Sequence, residues 1–264
     1  MLPAVPSCHI TMPTTDELAQ LLLHAHAHRQ VLDVAPDTGP ADVVQAYAVQ
    51  HAVWRGLSGD VQPAAWKIGA PNRATEPTAA AIFPRFLGQS PAEFSAGSFR
   101  RLGIEAEMAV CFGRDLPARA TPYASEEILT AIASVHVAME LVDTRLADPD
   151  AAGPLWRLAD SLLNGGLVFG AAIENWRTLD FSKLSVRVLA NGRCLAETQG
   201  RPPLDDLFHC LPWWLAQHGG ARAGDMITTG AWNGMHAVPQ AAEVSVEFIN
   251  AESGGVGRVN AVLA

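Results

Sequence analysis

Hydrophobic and polar residues alternate most regularly in the segment 103–113. One side of this alternation carries apolar residues, which are Ile104, Ala106, Met108, Val110 and Phe112. The other side carries Glu105 and Glu107. A period of two is typical of a β-strand, in which alternate side chains point to the same face. The pattern therefore predicts a strand whose apolar face is opposite to both glutamates.

A second apolar run, residues 135–143, predicts another strand and is interrupted by Glu140. A lone carboxylate is costly to bury unless something pairs with it. Glu105 and Glu107 would lie about 6.5 Å apart along their strand, so both can reach one cation. A third carboxylate from Glu140 would complete an all-oxygen site for a hard divalent ion. The alternative is that Glu105 and Glu107 line a wet strand face.

The N-terminal part of the chain has the periodicity of helices instead. Thr14 and Glu17 have the spacing of a capping box before an apolar run, which predicts a first helix from Thr14 to about Gln30. Pro40 is expected to start a second helix that runs through Trp54. These two helices indicate a helical N-terminal subdomain.

The pattern changes near residue 62 to short strands separated by glycine and proline. We therefore divide the chain into a helical subdomain, 1–62, and a mixed β-rich domain, 63–264, with a loose leader at 1–13. In the second part the sequence predicts helices at 121–134, 156–163 and 204–217, a turn at 164–166, and hairpins at 186–195 and 244–262. Many short strands with few helices favour an α+β fold over a parallel βαβ sheet.

Composition narrows the class of protein. The 264 residues are 49% hydrophobic, which is enough for a large core. The net charge of -9, without a cluster of lysine or arginine, argues against nucleic-acid or anionic-membrane surfaces and favours small-molecule partners. The four cysteines have no CxxC spacing, and no apolar run reaches about 18 residues. We expect a cytoplasmic protein without zinc.

Three further groups of polar residues have two interpretations each. Lys67, in a short apolar segment, is either a surface charge or, if it lies over the glutamates, an active-site ammonium that binds a carboxylate or enolate or moves a proton. His24 and His28 are one helical turn apart, but no nearby carboxylate or cysteine completes a metal site, so a solvated helix face is favoured. Asp143 and Arg145 are expected to form an ion pair that supports Glu140.

Several segments together resemble the fumarylacetoacetate hydrolase superfamily, and specifically its branch of 2-keto-4-pentenoate hydratases and 4-oxalocrotonate decarboxylases. The segments follow the family's order and span about residues 15–250. They are Trp66–Gly69, Ile104–Ala109, Gly113–Pro117, Met139–Arg145, Leu158–Gly166 and Thr228–Gly230.

This resemblance implies a mixed β-roll with a helical N-terminal part and Mg²⁺ or Mn²⁺ held by the three glutamates named above. It also implies that Lys67 lies in the active site. The residues expected to contact substrate are Gly69, Asn164, Thr229 and Gly230. The general acid or base stays open, with Asp160 and Glu76 as candidates, because the family's usual acidic residue after Lys67 is not clearly present.

The function implied by the resemblance is a hydro-lyase that adds water to a 2-hydroxy-2,4-dienoate and forms a 4-hydroxy-2-oxo acid in the catabolism of aromatic ring-cleavage products. Two alternatives stay open. One is a decarboxylase of 4-oxalocrotonate type, and the other is a catalytically silent metal-binding partner subunit. The family also implies a homo-oligomer.

Overall fold

The computed structural model of the chain describes residues 12–239, 241–252 and 254–264. Most of the predicted leader therefore lies outside the described residues. The α-helices, in chain order, are α1 Thr15–His28, α2 Val43–Ser58, α3 Ser125–Ala131, α4 Pro149–Ala152, α5 Pro154–Ala159 and α6 Leu211–Gln217. Among the described residues, no helix is both long and apolar enough to span a membrane.

Short strands make up most of the remainder. In chain order they are β1 Ala65–Gly69, β2 Thr78–Ala81, β3 Leu87–Gln89, β4 Ala92–Phe94, β5 Gly103–Phe112, β6 Leu116–Pro117, β7 Ile132–Val142, β8 Asn164–Ala172, β9 Leu184–Ala190, β10 Arg193–Gln199, β11 Gly220–Ala221, β12 Met226–Thr228, β13 Met235–Ala237, β14 Ala242–Asn250 and β15 Gly254–Leu263.

The strands form two large sheets. The first has the order β2-β1-β12-β5-β7-β8-β3, with β13 also paired to β5, and the second has the order β10-β9-β14-β15-β4. Both sheets combine parallel and antiparallel neighbours, since β1 is parallel to β12 and antiparallel to β2, and β15 is parallel to β4 and antiparallel to β14. Their apolar faces share one core, to which Met108, Val137, Val186 and Val246 belong. The predicted α+β fold with a mixed β-roll is confirmed.

The N-terminal helices begin where side chains cap them. The predicted capping box of α1 is present, because Thr14 accepts a hydrogen bond from the Glu17 N–H and Glu17 accepts one from the Thr14 N–H. The second helix starts at Val43 rather than at Pro40, since the Asp42 carboxylate accepts from the Gln45 N–H and caps the helix there. The two helices pack on each other, and α2 also packs on α5, so that one apolar cluster includes residues of all three helices. A separate domain at 1–62 stays a prediction.

Three predicted elements of the second half differ from the structure. The predicted helix 156–163 ends at Ala159, and residues 161–163 form a tight turn with positive φ. The predicted turn at 164–166 is instead the start of β8. Glycine is needed there because a Cβ atom on Gly165 would lie 2.7 Å from the Leu141 carbonyl oxygen in the adjacent strand. The predicted helix 204–217 begins only at Leu211, so Pro212 lies in its first turn instead of kinking it.

Candidate metal centre

Strand pairing places the three glutamates together. Glu105 and Glu107 lie two residues apart on β5, and Glu105 is directly opposite Glu140 in the antiparallel pair of β5 and β7. One carboxylate oxygen from each residue lies within 4.8 Å of the other two. The predicted convergence of three carboxylates at one point is therefore present in the structure.

These carboxylates are buried rather than wet. Glu140 is fully buried and Glu107 is 2% exposed, whereas Glu105 is half-buried. Burial raises the pKa of Glu107 to about 7, and the charge of Glu105 adds to this rise, while Lys67 and the Gly230 N–H oppose it. Burial also raises the pKa of Glu140 well above its usual value, against the attraction of Lys67. The interpretation of a wet strand face is wrong for Glu107, and Glu105 is half-exposed at the edge of the site.

The donor set fits a hard divalent cation. Three carboxylates offer only oxygen ligands, which Mg²⁺, Ca²⁺ and Mn²⁺ prefer. The buried Oε2 atom of Glu140 also has no hydrogen-bond partner among the described residues. A buried acceptor without a partner is costly, and a bound cation would satisfy it. The residues present therefore suit an ion held between β5 and β7.

The side chain of Lys67 reaches this centre from β1. Its ammonium donates a hydrogen bond to Oε1 of Glu140 and another, of 2.8 Å, to the carbonyl oxygen of Leu162. Burial by itself lowers the pKa of Lys67, but the three glutamates, Glu140 foremost, outweigh this and raise it. Lys67 is therefore charged and belongs to the site, so the interpretation as a surface charge is wrong.

The carbonyl of Leu162 is presented by an unusual turn. Ser161, Leu162 and Leu163 have φ values of 54°, 55° and 61°, the left-handed region that glycine favours. A left-handed conformation costs roughly 1–2 kcal/mol per residue with a side chain. Sequence reasoning missed this contact, because every residue has a carbonyl and no glycine or asparagine at 161–163 marks the turn.

A cavity of about 470 Å³ opens over the glutamates and Lys67. This volume lies within the range of small-molecule sites. Apart from the charged residues, its wall is mostly apolar, with Ile68, Ala70, Pro71, Leu162, Pro203, Leu204 and Ala231. Among the described residues that line it, Lys67 is the sole cation.

Three of the four residues predicted to contact substrate line this cavity. They are Gly69, Thr229 and Gly230. The N–H of Gly230 donates to Glu107 over 3.1 Å. The hydroxyl of Thr229 donates to the Met108 carbonyl, so it is left with only an acceptor role toward a ligand. The cavity also includes Thr78 of β2.

The structure does not bring Asn164, Asp160 or Glu76 to this cavity. The Asn164 amide donates to the Ala81 carbonyl over 2.7 Å and lies at a separate small cavity. The buried Asp160 carboxylate is bound by Arg145, and Glu76 accepts a hydrogen bond from the Trp213 indole. Neither carboxylate lies where a proton could pass directly to a ligand in the cavity.

The expected ion pair between Asp143 and Arg145 is wrong. Asp143 pairs with Arg100 at 3.1 Å, and Arg145 pairs with Asp160. The two residues are two apart just after β7, and their side chains point to different partners. The histidines of α1 show no metal-like arrangement, since Nδ1 of His28 lies 3.0 Å from the His24 carbonyl.

We expect cation binding to weaken as the pH falls below about 7. A carboxylate must lose its proton before it binds a metal, and the pKa of Glu107 in the metal-free protein is about 7. Because Glu107 is protonated below this pH, the dissociation constant should rise about tenfold per pH unit for each proton displaced. Isothermal titration calorimetry with Mg²⁺ at a series of pH values, in buffers of differing ionisation enthalpy, measures both the affinity and the protons released.

A rise in pH strengthens cation binding, but it lowers the stability of the metal-free protein. A raised pKa means that the folded chain binds the Glu107 proton more tightly than the unfolded chain, so the metal-free protein loses stability as the pH rises from about 4.5 through 7. Saturating Mg²⁺ should remove this loss. An affinity that does not change between pH 5.5 and 8 would contradict the buried carboxylate centre.

Comparison with known proteins gives consistent matches. A family model described as fumarylacetoacetate (FAA) hydrolase C-terminal matches residues 57–264. The chain is 26% identical over 240 residues to 2-keto-4-pentenoate hydratase of Paraburkholderia phymatum, covering 86% of this chain and 90% of that protein. It is 25% identical over 270 residues to 2-keto-4-pentenoate hydratase 1 of Dechloromonas aromatica, covering 95% and 97%.

Among solved structures, the fold is similar to 4-oxalocrotonate decarboxylase from Pseudomonas putida G7 complexed with magnesium and adipate. The TM-score is 0.76 at 20% identity, covering 96% of this chain and 99% of that chain. A yeast fumarylacetoacetate hydrolase family protein gives a TM-score of 0.54 at 15% identity, covering 75% of this chain and 91% of that chain. At these identities the likeness establishes the fold.

Proposed function

This chain belongs to the fumarylacetoacetate hydrolase family, and we propose that it is a divalent-metal-dependent hydratase acting on 2-hydroxy-2,4-dienoates with a short, uncharged tail. The observation that carries this proposal is the cavity over the three glutamates, whose wall combines a cation site with one ammonium and otherwise mostly apolar residues. The curated relatives at about 26% identity are named 2-keto-4-pentenoate hydratase, which agrees with it.

The charge of the cavity wall favours a monocarboxylate. With Lys67 charged and the three glutamates ionised, the wall carries a formal charge of −2, and one divalent cation brings it to zero. A substrate with one carboxylate then enters a neutral site. A 2-oxo-enedioate brings a second carboxylate, which would lie among apolar side chains without a second cation to pair with. The hydratase reaction is therefore our first choice over decarboxylation.

We assign the cation to Glu105, Glu107 and Glu140 and take it to be Mg²⁺ or Mn²⁺. When bound, such an ion supplies Lewis-acid stabilisation of negative charge on the 2-oxo oxygen of a 2-oxo acid. Gly230 N–H orients the Glu107 carboxylate, and the apolar wall encloses the tail of the substrate.

Lys67 is our candidate for proton transfer. It carries protons at the cavity wall and is not one of the proposed ligands. In the first step the enol oxygen at C2 loses a proton and C5 gains one, which gives an α,β-unsaturated 2-oxo acid. In the second step the hydroxyl of water adds at C4 and a proton adds at C3, which gives the 4-hydroxy-2-oxo acid. Because Lys67 is protonated in the resting site, we assign to it the donation of the proton that C5 gains, after which the neutral amine takes up the proton that the enol oxygen loses.

The test is a panel assay with the purified protein. We expect Mg²⁺-dependent loss of dienoate absorbance with 2-hydroxypenta-2,4-dienoate, formation of 4-hydroxy-2-oxopentanoate, and no turnover after chelation of the metal. Release of CO₂ from 4-oxalocrotonate without hydration of the dienoate would replace the proposal by a decarboxylase. A melting temperature raised by Mg²⁺, with no turnover of either class, would point to a silent metal-binding subunit.

The cellular setting proposed with this activity is the catabolism of aromatic ring-cleavage products by a cytoplasmic homo-oligomer. Size-exclusion chromatography with light scattering measures the oligomeric state directly.

A further inference from the structure

The buried Arg145 binds both ends of the left-handed turn that holds Lys67. Its Nε donates to the Asp160 carboxylate and its Nη2 to the Asp160 carbonyl over 2.8 Å, ahead of the turn. Its Nη1 donates to the Asn164 carbonyl over 3.0 Å, just after the turn. The side chain of Arg145 is 2% exposed. One planar guanidinium thus fixes the two residues between which Ser161–Leu163 must fit.

The hydrogen bonds of Arg145 to Asp160 and Asn164 form a clamp on the turn, and other contacts complete it. The Arg145 N–H donates to Asp160 Oδ2 over 3.0 Å, and the Thr144 hydroxyl donates to the same oxygen over 2.9 Å. The Leu163 N–H donates to the Asp160 carbonyl over 3.1 Å, and the Leu163 carbonyl accepts from the Asp143 N–H over 3.0 Å. Residues 143–145, which follow β7, therefore hold both ends of the turn.

We propose that Arg145 is a positioning residue for Lys67, acting through the Ser161–Leu163 turn and the carbonyl of Leu162. This inference rests on the proposed function insofar as Lys67 takes part in the reaction. The side chain of Arg145 is not part of the cavity wall at the glutamates and lies at a separate small cavity, so it has no direct contact with a ligand there.

The physical reason is the strain of the turn. Three successive left-handed residues persist only where their surroundings hold them. When the clamp is lost, the turn relaxes toward ordinary backbone angles and the Leu162 carbonyl moves away from Lys67. The ammonium then keeps Glu140 as its partner and loses its second anchor. Lysine cannot replace Arg145, because a single ammonium lacks the planar fork that reaches both ends of the turn.

Two variants separate this role from simple destabilisation. Arg145→Lys keeps the charge beside Asp160 but removes the fork. The double variant Arg145→Met/Asp160→Leu removes both buried charges and replaces them with apolar side chains, an exchange that is often tolerated. Circular dichroism and thermal unfolding establish that each is folded. Mg²⁺ affinity should stay near the native value, because the glutamates lie on β5 and β7 and Lys67 keeps its bond to Glu140.

The readout that does not depend on catalysis is the accessibility of Lys67. The chain contains two lysines, Lys67 and the exposed Lys183, which serves as the internal control. After a short pulse of acetic anhydride, mass spectrometry gives the ratio of acetylation at the two positions. We expect this ratio to rise at least about fivefold in both variants, since the ammonium loses a hydrogen bond that restricts it. An unchanged ratio in folded variants would overturn the proposal.

The second readout is a double-mutant cycle with Lys67→Met, on whichever substrate the native protein turns over. If Arg145 acts through Lys67, Arg145→Lys should lower kcat/KM at least about tenfold in the native background and less than about twofold in the Lys67→Met background. Equal effects in both backgrounds would show a general structural role and overturn the inference. If no substrate turns over, the proposed function fails, and the acetylation ratio still decides the position of Lys67.

Discussion

Glu107→Gln is expected to abolish both divalent-metal binding and turnover while the protein stays folded. The substitution keeps the size of the side chain but removes one of three carboxylates from a buried all-oxygen site. Replacing groups that only orient metal ligands already costs 10–100-fold in affinity, so loss of a ligand itself should cost at least about 100-fold. Titration calorimetry with Mg²⁺ and the dienoate assay measure the two effects.

The matched control is Glu243→Gln, which removes the same charge from an exposed position on β14. It should leave affinity and turnover unchanged. In the metal-free state at pH 8, Glu107→Gln should melt no lower than the native protein, because it relieves the repulsion between buried carboxylates. Mg²⁺ binding of native strength in Glu107→Gln would rule out the centre described here.

Lys67→Met should lower kcat/KM by about 10²–10⁴-fold, the range typical of a lost proton-transfer group. Metal binding should be at least as tight as in the native protein, since the variant removes a positive charge bound to Glu140. The two measurements together separate a role in the reaction from a role in holding the cation.

Lys183→Met is the control for this variant, because Lys183 is the other lysine of the chain and pairs with the exposed Glu252. It should show native kinetics. If Lys67→Met loses metal affinity in parallel with turnover, Lys67 supports the metal centre instead of the chemistry. If turnover is native in Lys67→Met, another group moves the proton.

The sequence predicted the parts of this protein that depend on strand periodicity. The alternation at 103–113 gave the face of β5 that carries Glu105 and Glu107, and the interrupted run at 135–143 gave Glu140. The alternation sets which side chains share a face, and the observed pairing of β5 with β7 sets Glu105 directly opposite Glu140. Local pattern therefore identified the three carboxylates, and strand pairing brings them together.

The segment from Asp143 to Gly166 could not be predicted in the same way. Its conformation depends on buried partners that lie far away in the sequence. Some of these are backbone carbonyls, which every residue type has, such as the Ala81 carbonyl that accepts from Asn164. Tertiary hydrogen bonds of Arg145 override the helical tendency of residues 161–163. The family resemblance places Asp160 and Asn164 in the site, but the structure gives them other partners.

The pairing of Glu105 with Glu140 across β5 and β7 also bears on how the chain assembles. A slip of one residue between the two strands would turn Glu140 to the opposite face and leave two acidic groups with no third ligand. Molecules misaligned by one residue cannot retain the ion, so metal uptake during folding selects against them. Retention of Mg²⁺ through gel filtration should thus report the fraction of a refolded sample whose central strands have paired correctly.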